Sequence, residues 1–266
     1  MLPVRVMTDP RICSRARLRP SFICRLAGSP ADIQASQRLR YRVFAEEMGA
    51  RLPTADQQLD YDEYDPACTH LLVCDERSGA LAASTRILVQ EQASRVGGFY
   101  SASEFDLTRL LNRPGRFLEI GRTCVAPEYR SGAAIASLWR GLSHFVNQGR
   151  YDQLIGCASV AAGDGGAGAH AIFRRLSRRH LVEQACRVAP KRPLPHFAGG
   201  VDVPRLPPLL RAYLSLGARV GGPPCLDPAF GVADFFIHLQ LRELVDSYAR
   251  HFNADTPHAG RHRAVA

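Results

Sequence analysis

Lysine is almost missing from this chain of 266 residues: Lys191 is the only one, so the excess of 34 Lys+Arg over 25 Asp+Glu is carried by arginine. The resulting net charge of +9 suits an acidic partner, whether a carrier protein, a membrane surface or nucleic acid, but selects none of them. The eight cysteines (13, 24, 68, 74, 124, 157, 186, 225) include no Cys-x-x-Cys pair and have no histidine clustered beside them. That excludes the usual zinc sites and a secreted disulfide framework, and leaves reduced thiols in a cytoplasm as the simplest expectation. No run approaches the ~18 apolar residues of a membrane span, and no signal peptide is apparent. Internal repeats are also absent.

What is present centres on residues 117–147. Residues 117–125 mix β-branched, aromatic and apolar side chains and stop at Ala126-Pro127, which predicts a strand closed by a turn. Ile135, Leu138, Trp139, Leu142, Phe145 and Val146 recur at helical spacing and predict one buried stripe. Between them, Arg130-Ser131-Gly132-Ala133-Ala134 sets small residues where the helix begins. Free N–H groups and the helix dipole hold phosphate at such a start, although a plain loop before a core helix explains the same residues.

The flanking chain reads in order. Residues 1–20 are arginine-rich and aperiodic, expected to be a disordered arm. A first strand over 21–26 precedes Ser29-Pro30-Ala31-Asp32, a capped start for a helix reaching about Met48. Segments 70–75 and 80–89 predict a hairpin, 103–111 a short helix and 154–160 a buried strand beside the central one. Residues 169–181 predict a basic amphipathic helix bearing Arg174, Arg175, Arg178 and Arg179. Six prolines between Pro190 and Pro208 mark 190–208 as a lid or linker. A helix over 209–216, a strand over 234–241, a last helix to about Phe252 and a disordered tail over 253–266 complete the chain. The expectation is one α/β domain over 21–252, a mixed twisted sheet flanked by helices, with a C-terminal extension.

Charged residues interrupt these elements. Asp60, Asp62, Glu63 and Asp65 crowd one loop without the Gly and terminal Glu of an EF-hand, so no metal site is expected. A solvated face or a pocket for a cationic substrate remains. Arg86 stands in an apolar strand, and burying it requires an acid or a substrate carboxylate opposite. Glu119 and Arg122 interrupt the central strand three residues apart; a regular strand would point them to opposite faces. A bulge near Gly121 would bring both to one side.

Taken in order, Arg40-x-x-x-Phe44, Asp60-x-Asp62-x-x-Asp65, Arg86 and Glu119-x-x-Arg122 resemble the polar framework of acyl-homoserine-lactone synthases, variants of the GNAT acyltransferase fold. The wider sequence resembles more closely the ornithine-lipid branch, the L-ornithine Nα-acyltransferases. Residues 38–47, 119–132, 137–142, 155–159, 206–219 and 227–236 carry that resemblance, which spans about 22–240. Two departures stand out. Residues 160–166 are unusually small where relatives place an aromatic and an Asp, and the predicted helix after them lacks the tyrosine that many GNAT enzymes use as general acid.

The resemblance implies a GNAT-like fold and direct attack of an α-amine on a thioester, with no permanently bound cofactor. The co-substrate would be 3-hydroxyacyl-phosphopantetheine on acyl carrier protein, the acceptor L-ornithine and the product lyso-ornithine lipid. Glu119 would be the base, with Arg122 holding it or the substrate carboxylate. Asp60, Asp62, Asp65, Arg86, Arg40 and Phe44 would surround the acceptor. Cys124 and Val125 would polarise the thioester carbonyl, and Arg130, Ser131, Gly132, Ala133 and Ala134 would hold the donor phosphate. Partners would be the carrier protein and an anionic membrane surface, not nucleic acid, giving a cytoplasmic protein peripheral on the inner membrane. The alternatives are an acyl-homoserine-lactone or other N-acyl amino acid synthase, and a non-catalytic basic membrane-binding module.

Overall fold

Apolar and β-branched segments alternate with helical ones, and the computed structural model, which describes residues 21–195, 197 and 202–241, threads them through one eight-stranded sheet. The arm 1–20, the last helix and the tail expected from sequence, and part of the proline-rich segment, lie outside the described residues. The strands are β1 Phe22–Leu26, β2 Thr69–Asp75, β3 Leu81–Val89, β4 Phe105–Asp106, β5 Phe117–Val125, β6 Gln153–Ala161, β7 Ala189–Pro190, β8 Arg219–Val220, β9 Cys225–Asp227 and β10 Val232–Gln240. The helices are α1 Pro30–Tyr41, α2 Gln90–Ala93, α3 Thr108–Leu111, α4 Ala133–Gly149, α5 Ala167–Leu176 and α6 Pro208–Ser215. The main sheet runs β1-β2-β3-β5-β6-β10-β8 with β9 also on β10, while β4 and β7 pair separately. Among the strand pairs of the described residues only β5 and β6 run parallel. The residues after the expected 209–216 helix contribute β8, β9 and β10 to the same sheet.

Local chemistry explains most of these boundaries. Ser29 is extended and its Oγ accepts from Asp32 N–H at 3.2 Å, capping α1 with Pro30 in the first turn. The helix expected to reach Met48 instead widens into a π-helical segment over Arg42–Glu47. The expected helix over 103–111 is divided among a 3-10 turn, Tyr100–Ser103, then β4 and α3. Helix α5 stops at Leu176, so Arg178 and Arg179 lie in the turn beyond it.

Two details of β5 position everything that follows. Its ladder with β6 covers only Phe117–Ile120 against Gln153–Gly156, after which the strands part. A Cβ on Gly156 would collide with the Ile120 carbonyl, so glycine permits the closest approach at the fork. On the other side, Arg86 pairs with Gly121 and Ser84 with Cys124, leaving Thr85 opposite both Arg122 and Thr123. This is the bulge expected near Gly121, and its left-handed residue is Arg122, at φ 51°. The extra residue resets the alternation: Cys124 packs with Leu39 of α1 and Val43 of the π-helical segment, whereas Leu118 and Ile120 face Leu138 and Leu142 of α4. The opposite face of the sheet buries Leu88, Phe99, Phe105, Phe117, Ile155 and Phe236. Among the described residues no helix is long and apolar enough to cross a membrane.

Gly156→Ala should therefore force the fork open, costing about 1–3 kcal/mol as overpacking does. Gly163→Ala, at a position with open space around it, is the control expected to leave the urea midpoint unchanged.

Candidate active site

Beside the bulge, three arginines from α1, β3 and β5 converge on the acidic loop. Arg40 bonds Asp60 Oδ2 through Nε at 2.8 Å and forks onto Asp65 at 2.7 and 2.9 Å, with Nη2 also on the Asp60 carbonyl. Arg86 Nη1 bridges Asp62 Oδ1 and Asp65 Oδ2. Arg122 places Nε 3.2 Å from Asp60 and Nη2 3.4 Å from Asp62. Three cations thus meet three anions, which is what lets the cluster sit inside the fold.

Exposure separates these residues into frame and rim. Arg40, Asp60 and Asp65 are 1, 2 and 4% exposed, so the structure commits them to one another rather than to an open pocket. The side chains of Asp62 and Arg122 keep 17 and 13% of their surface. Burial pushes Asp65 up, but the bonds and charge of Arg40 outweigh it and hold the carboxyl well below its usual range. The Arg122 guanidinium lies over Tyr100 at 4.9 Å and over Phe230 at 4.7 Å. Phe44 stands edge-on behind Phe230, at 5.8 Å, and forms the wall of this recess.

Glu119 is where the expected base and the structure diverge. It is 3% exposed, and Oε2 accepts from Tyr100 N–H at 2.6 Å while Oε1 accepts from Ser101 N–H at 2.8 Å and from the Ser101 hydroxyl. Burial raises its pKa and these donors oppose the shift. Its bonds secure the Tyr100–Ser103 turn, and neither oxygen is left without a donor.

A second acidic group was not singled out from sequence. Glu104, Asp227 and Asp234 are 1, 7 and 4% exposed, and their oxygens lie within 4.8 Å of one another. Ser159 Oγ donates to Asp234 at 2.6 Å, and the Ala229 and Phe230 N–H groups donate to Asp227 at 2.9 and 3.2 Å. Among the described residues no arginine, lysine or histidine forms an ion pair with any of the three. Burial, then Asp234 and Asp227, pushes Glu104 up to about 8; burial, opposed by Ser159, leaves Asp234 raised to about 6. The available signal was Asp234 in the apolar strand 234–241, an interruption of the same kind as Arg86. Tyr213 was missed too. It reaches in from α6, is 2% exposed and packs on Trp139 at 5.1 Å. Burial raises its phenol against a hydrogen bond with Thr123 of the bulge.

At the other end of β5, Gly132 at φ 95° leads into α4 without a side-chain cap. Arg130, expected on the donor phosphate, is engaged elsewhere. It clamps Glu47 with both terminal nitrogens and bonds the Val125 carbonyl through Nε at 3.1 Å. Ser131 and Ala133 are exposed and Ala134 is buried.

Residues 39–140 match the family model described as an acetyltransferase (GNAT) domain. The L-ornithine N(alpha)-acyltransferase of Brucella abortus (strain 2308) is 39% identical over 256 residues, covering 88% of this chain and 90% of that protein. The protein of the same name from Rhizobium meliloti (strain 1021) is 38% identical over 254 residues, covering 89 and 85%. Among solved structures, FeeM, an N-acyl amino acid synthase from uncultured soil microbes, aligns over 86% of this chain and 95% of its own, with a TM-score of 0.51 and 13% identity. That likeness bears on the fold alone.

Removing the Arg40 guanidinium breaks two buried ion pairs and leaves Asp60 to Arg122 and Asp65 to Arg86, so Arg40→Met should cost about 3–5 kcal/mol at pH 7 in urea denaturation. The depressed Asp65 stabilises the fold above the unfolded carboxyl pKa, about 3.9, and that contribution fades as pH falls. The gap between wild type and variant should therefore narrow below about pH 4.

Proposed function

The chain belongs to the family of L-ornithine Nα-acyltransferases on the GNAT fold, and from that premise we propose that it moves a 3-hydroxyacyl group from acyl carrier protein to the α-amine of L-ornithine, giving lyso-ornithine lipid. The observation that carries this reading is the distribution of charge around Arg122. Ornithine has two ammonium groups and one carboxylate. The recess offers one partly exposed guanidinium, Arg122, with Asp62 on one side and the unbalanced Glu104–Asp227–Asp234 group on the other. Arg122 would receive the carboxylate bidentately, Asp62 the side-chain ammonium and the buried acids the α-ammonium. Arg40, Asp60, Asp65 and Arg86 are then the frame that aims these groups, and Phe44 supports Phe230.

The donor arm fits the gap that opens beyond Ile120 and Gly156. The inner edge of β5 there has no strand partner, which suits Cys124 and Val125 to polarising a thioester carbonyl. The start of α4 at Ala133 and Ala134 would face the phosphate of the arm. Tyr213 keeps its proton at neutral pH and would hydrogen-bond the departing thiolate. The exposed Arg174, Arg175, Arg178 and Arg179 would meet the acidic carrier protein or an anionic leaflet.

Purified protein given 3-hydroxyacyl carrier protein and a panel of acceptors should release thiol with ornithine and not with homoserine or S-adenosylmethionine. Lactone formation from S-adenosylmethionine would replace this reading with acyl-homoserine-lactone synthesis. Asp62→Asn should raise the ornithine KM about 10–100-fold, the scale of one charge-assisted contact, with donor KM and melting temperature close to wild type. Unchanged ornithine kinetics would remove Asp62 from the recess. Reversing Arg174 and Arg175 to Glu should raise the donor KM at 0.1 M salt, where charges act over about 10 Å, and much less at 1 M, where they act over about 3 Å.

A further inference from the structure

We infer that Glu104 takes the proton from the acceptor's α-ammonium, and that Glu119 is a positioning residue that sets Glu104 in place. The inference rests on the acyl-transfer reading above and adds the identity of the base.

The two glutamates differ in what occupies them. Glu119 is saturated by three donors from Tyr100 and Ser101. Swinging toward a substrate would break all three inside a closed pocket, at a cost of about 1–3 kcal/mol for each buried group left unpaired. The turn it holds leads directly to Glu104, whose N–H bonds the Ser101 carbonyl at 3.2 Å. Among the described residues Glu104 accepts from the Tyr100 hydroxyl at 3.2 Å and the Cys157 thiol at 3.5 Å, both weak donors, and it shares a hydrogen bond with Asp234. Cys157 is the first residue of β6 beyond Gly156, where β6 leaves β5. Glu104 therefore stands at the fork into which the thioester would be laid, and Tyr100 connects it to Arg122, where the acceptor carboxylate would sit.

The groups facing Glu104 come from four elements. Asp234 lies on β10, Asp227 on β9 with Cys225 near it, Cys157 on β6 and Tyr100 on its own turn. Lys191 approaches the same turn but spends Nζ on the Ala102 carbonyl, at 2.6 Å. Three neighbouring carboxylates without a paired cation cannot all be charged in a buried place, so one holds a proton loosely. Burial and the two aspartates put Glu104 at about 8, close to what accepting a proton from an amine near neutrality requires. The α-ammonium gives one proton to the Glu104 carboxylate. The freed nitrogen lone pair forms the C–N bond, the C–S electrons leave with the thiolate, and the second nitrogen proton passes to that thiolate. Glu104 then releases its proton to water, so one proton leaves per amide formed.

The test is kcat against pH for wild type, Glu104→Gln, Glu104→Asp and Glu119→Gln, with 3-hydroxyacyl carrier protein and ornithine. Wild type should rise through about pH 8 and level off. Glu104→Gln should lose about 10²–10⁴-fold in kcat and lack that inflection. It should melt no lower than wild type, because it relieves like-charge repulsion. Glu104→Asp should retain the inflection at reduced rate. Glu119→Gln should melt lower, yet its residual activity should keep the inflection. A Glu104→Gln variant with wild-type rate and profile would overturn the inference, as would loss of the inflection in Glu119→Gln alone. Activity lost to a chelator and restored by magnesium would assign the acids to a metal and overturn it too. A wild-type protein that releases no thiol with ornithine removes the acyl-transfer reading itself, an outcome distinct from these.

Discussion

Two parallel strands that share hydrogen bonds for four residues and then separate create the constraint on which this molecule depends. A sheet otherwise closes its own edges, and opening one in the interior leaves backbone polar groups without strand partners. Here the opening follows from Gly156 meeting Ile120 and from the bulge at Arg122, which turns β5 away and resets its side-chain alternation. Helix α4 packs its stripe on one side of that divergence, and the charged residues collect on the other. The fork is therefore both the gap proposed for the acyl donor and the reason Glu119 and Arg122 share a face.

Charge is handled in two opposite ways within the same recess. Arg40, Arg86 and Arg122 balance Asp60, Asp62 and Asp65, the Arg40–Asp60–Asp65 centre is nearly inaccessible, and balance of that kind yields rigidity rather than reactivity. Glu104, Asp227 and Asp234 are buried too, with no paired cation among the described residues, and burial raises the pKa of Glu104 and Asp234. Arg122 lies between them, close to Asp62 and also lowering Asp234. A dicationic amino acid would complete the second group without disturbing the first, which is why the two acidic clusters carry different proposed roles.

Much of the fold was legible in the sequence because periodicity and punctuation report local structure. Ser29-Pro30 marked the start of α1, residues 70–89 a hairpin and residues 135–146 the buried stripe of α4. Arg86 was read as a buried cation that needs an acid or a substrate carboxylate opposite, and Asp62 and Asp65 meet it. What was not legible depended on distant pairing. Nothing near Arg40 indicates that it binds residues 20 and 25 positions away, and nothing near Arg130 points to Glu47. Glu104 escaped notice in a polar turn, because its meaning comes from strands that follow it much later. Asp234 could have been found by the rule that found Arg86.

That separation in the chain bears on how the protein is made. The family model's match ends at residue 140, yet β10, which lies beside β6 in the main sheet, and two of the three unbalanced acids come after it. Strand pairs with large sequence separation form late, since the loop between them must close first. During synthesis, residues 21–149 can assemble β1, β2, β3, β5 and α4, a meander with mostly local contacts. The edge of β5 is covered once β6 has emerged, but the edge of β6 that awaits β10 stays uncovered until Gln240 has left the ribosome. The emerging chain is thus most prone to self-association in that interval, and the pocket comes into being last, in the same step that covers the exposed edge.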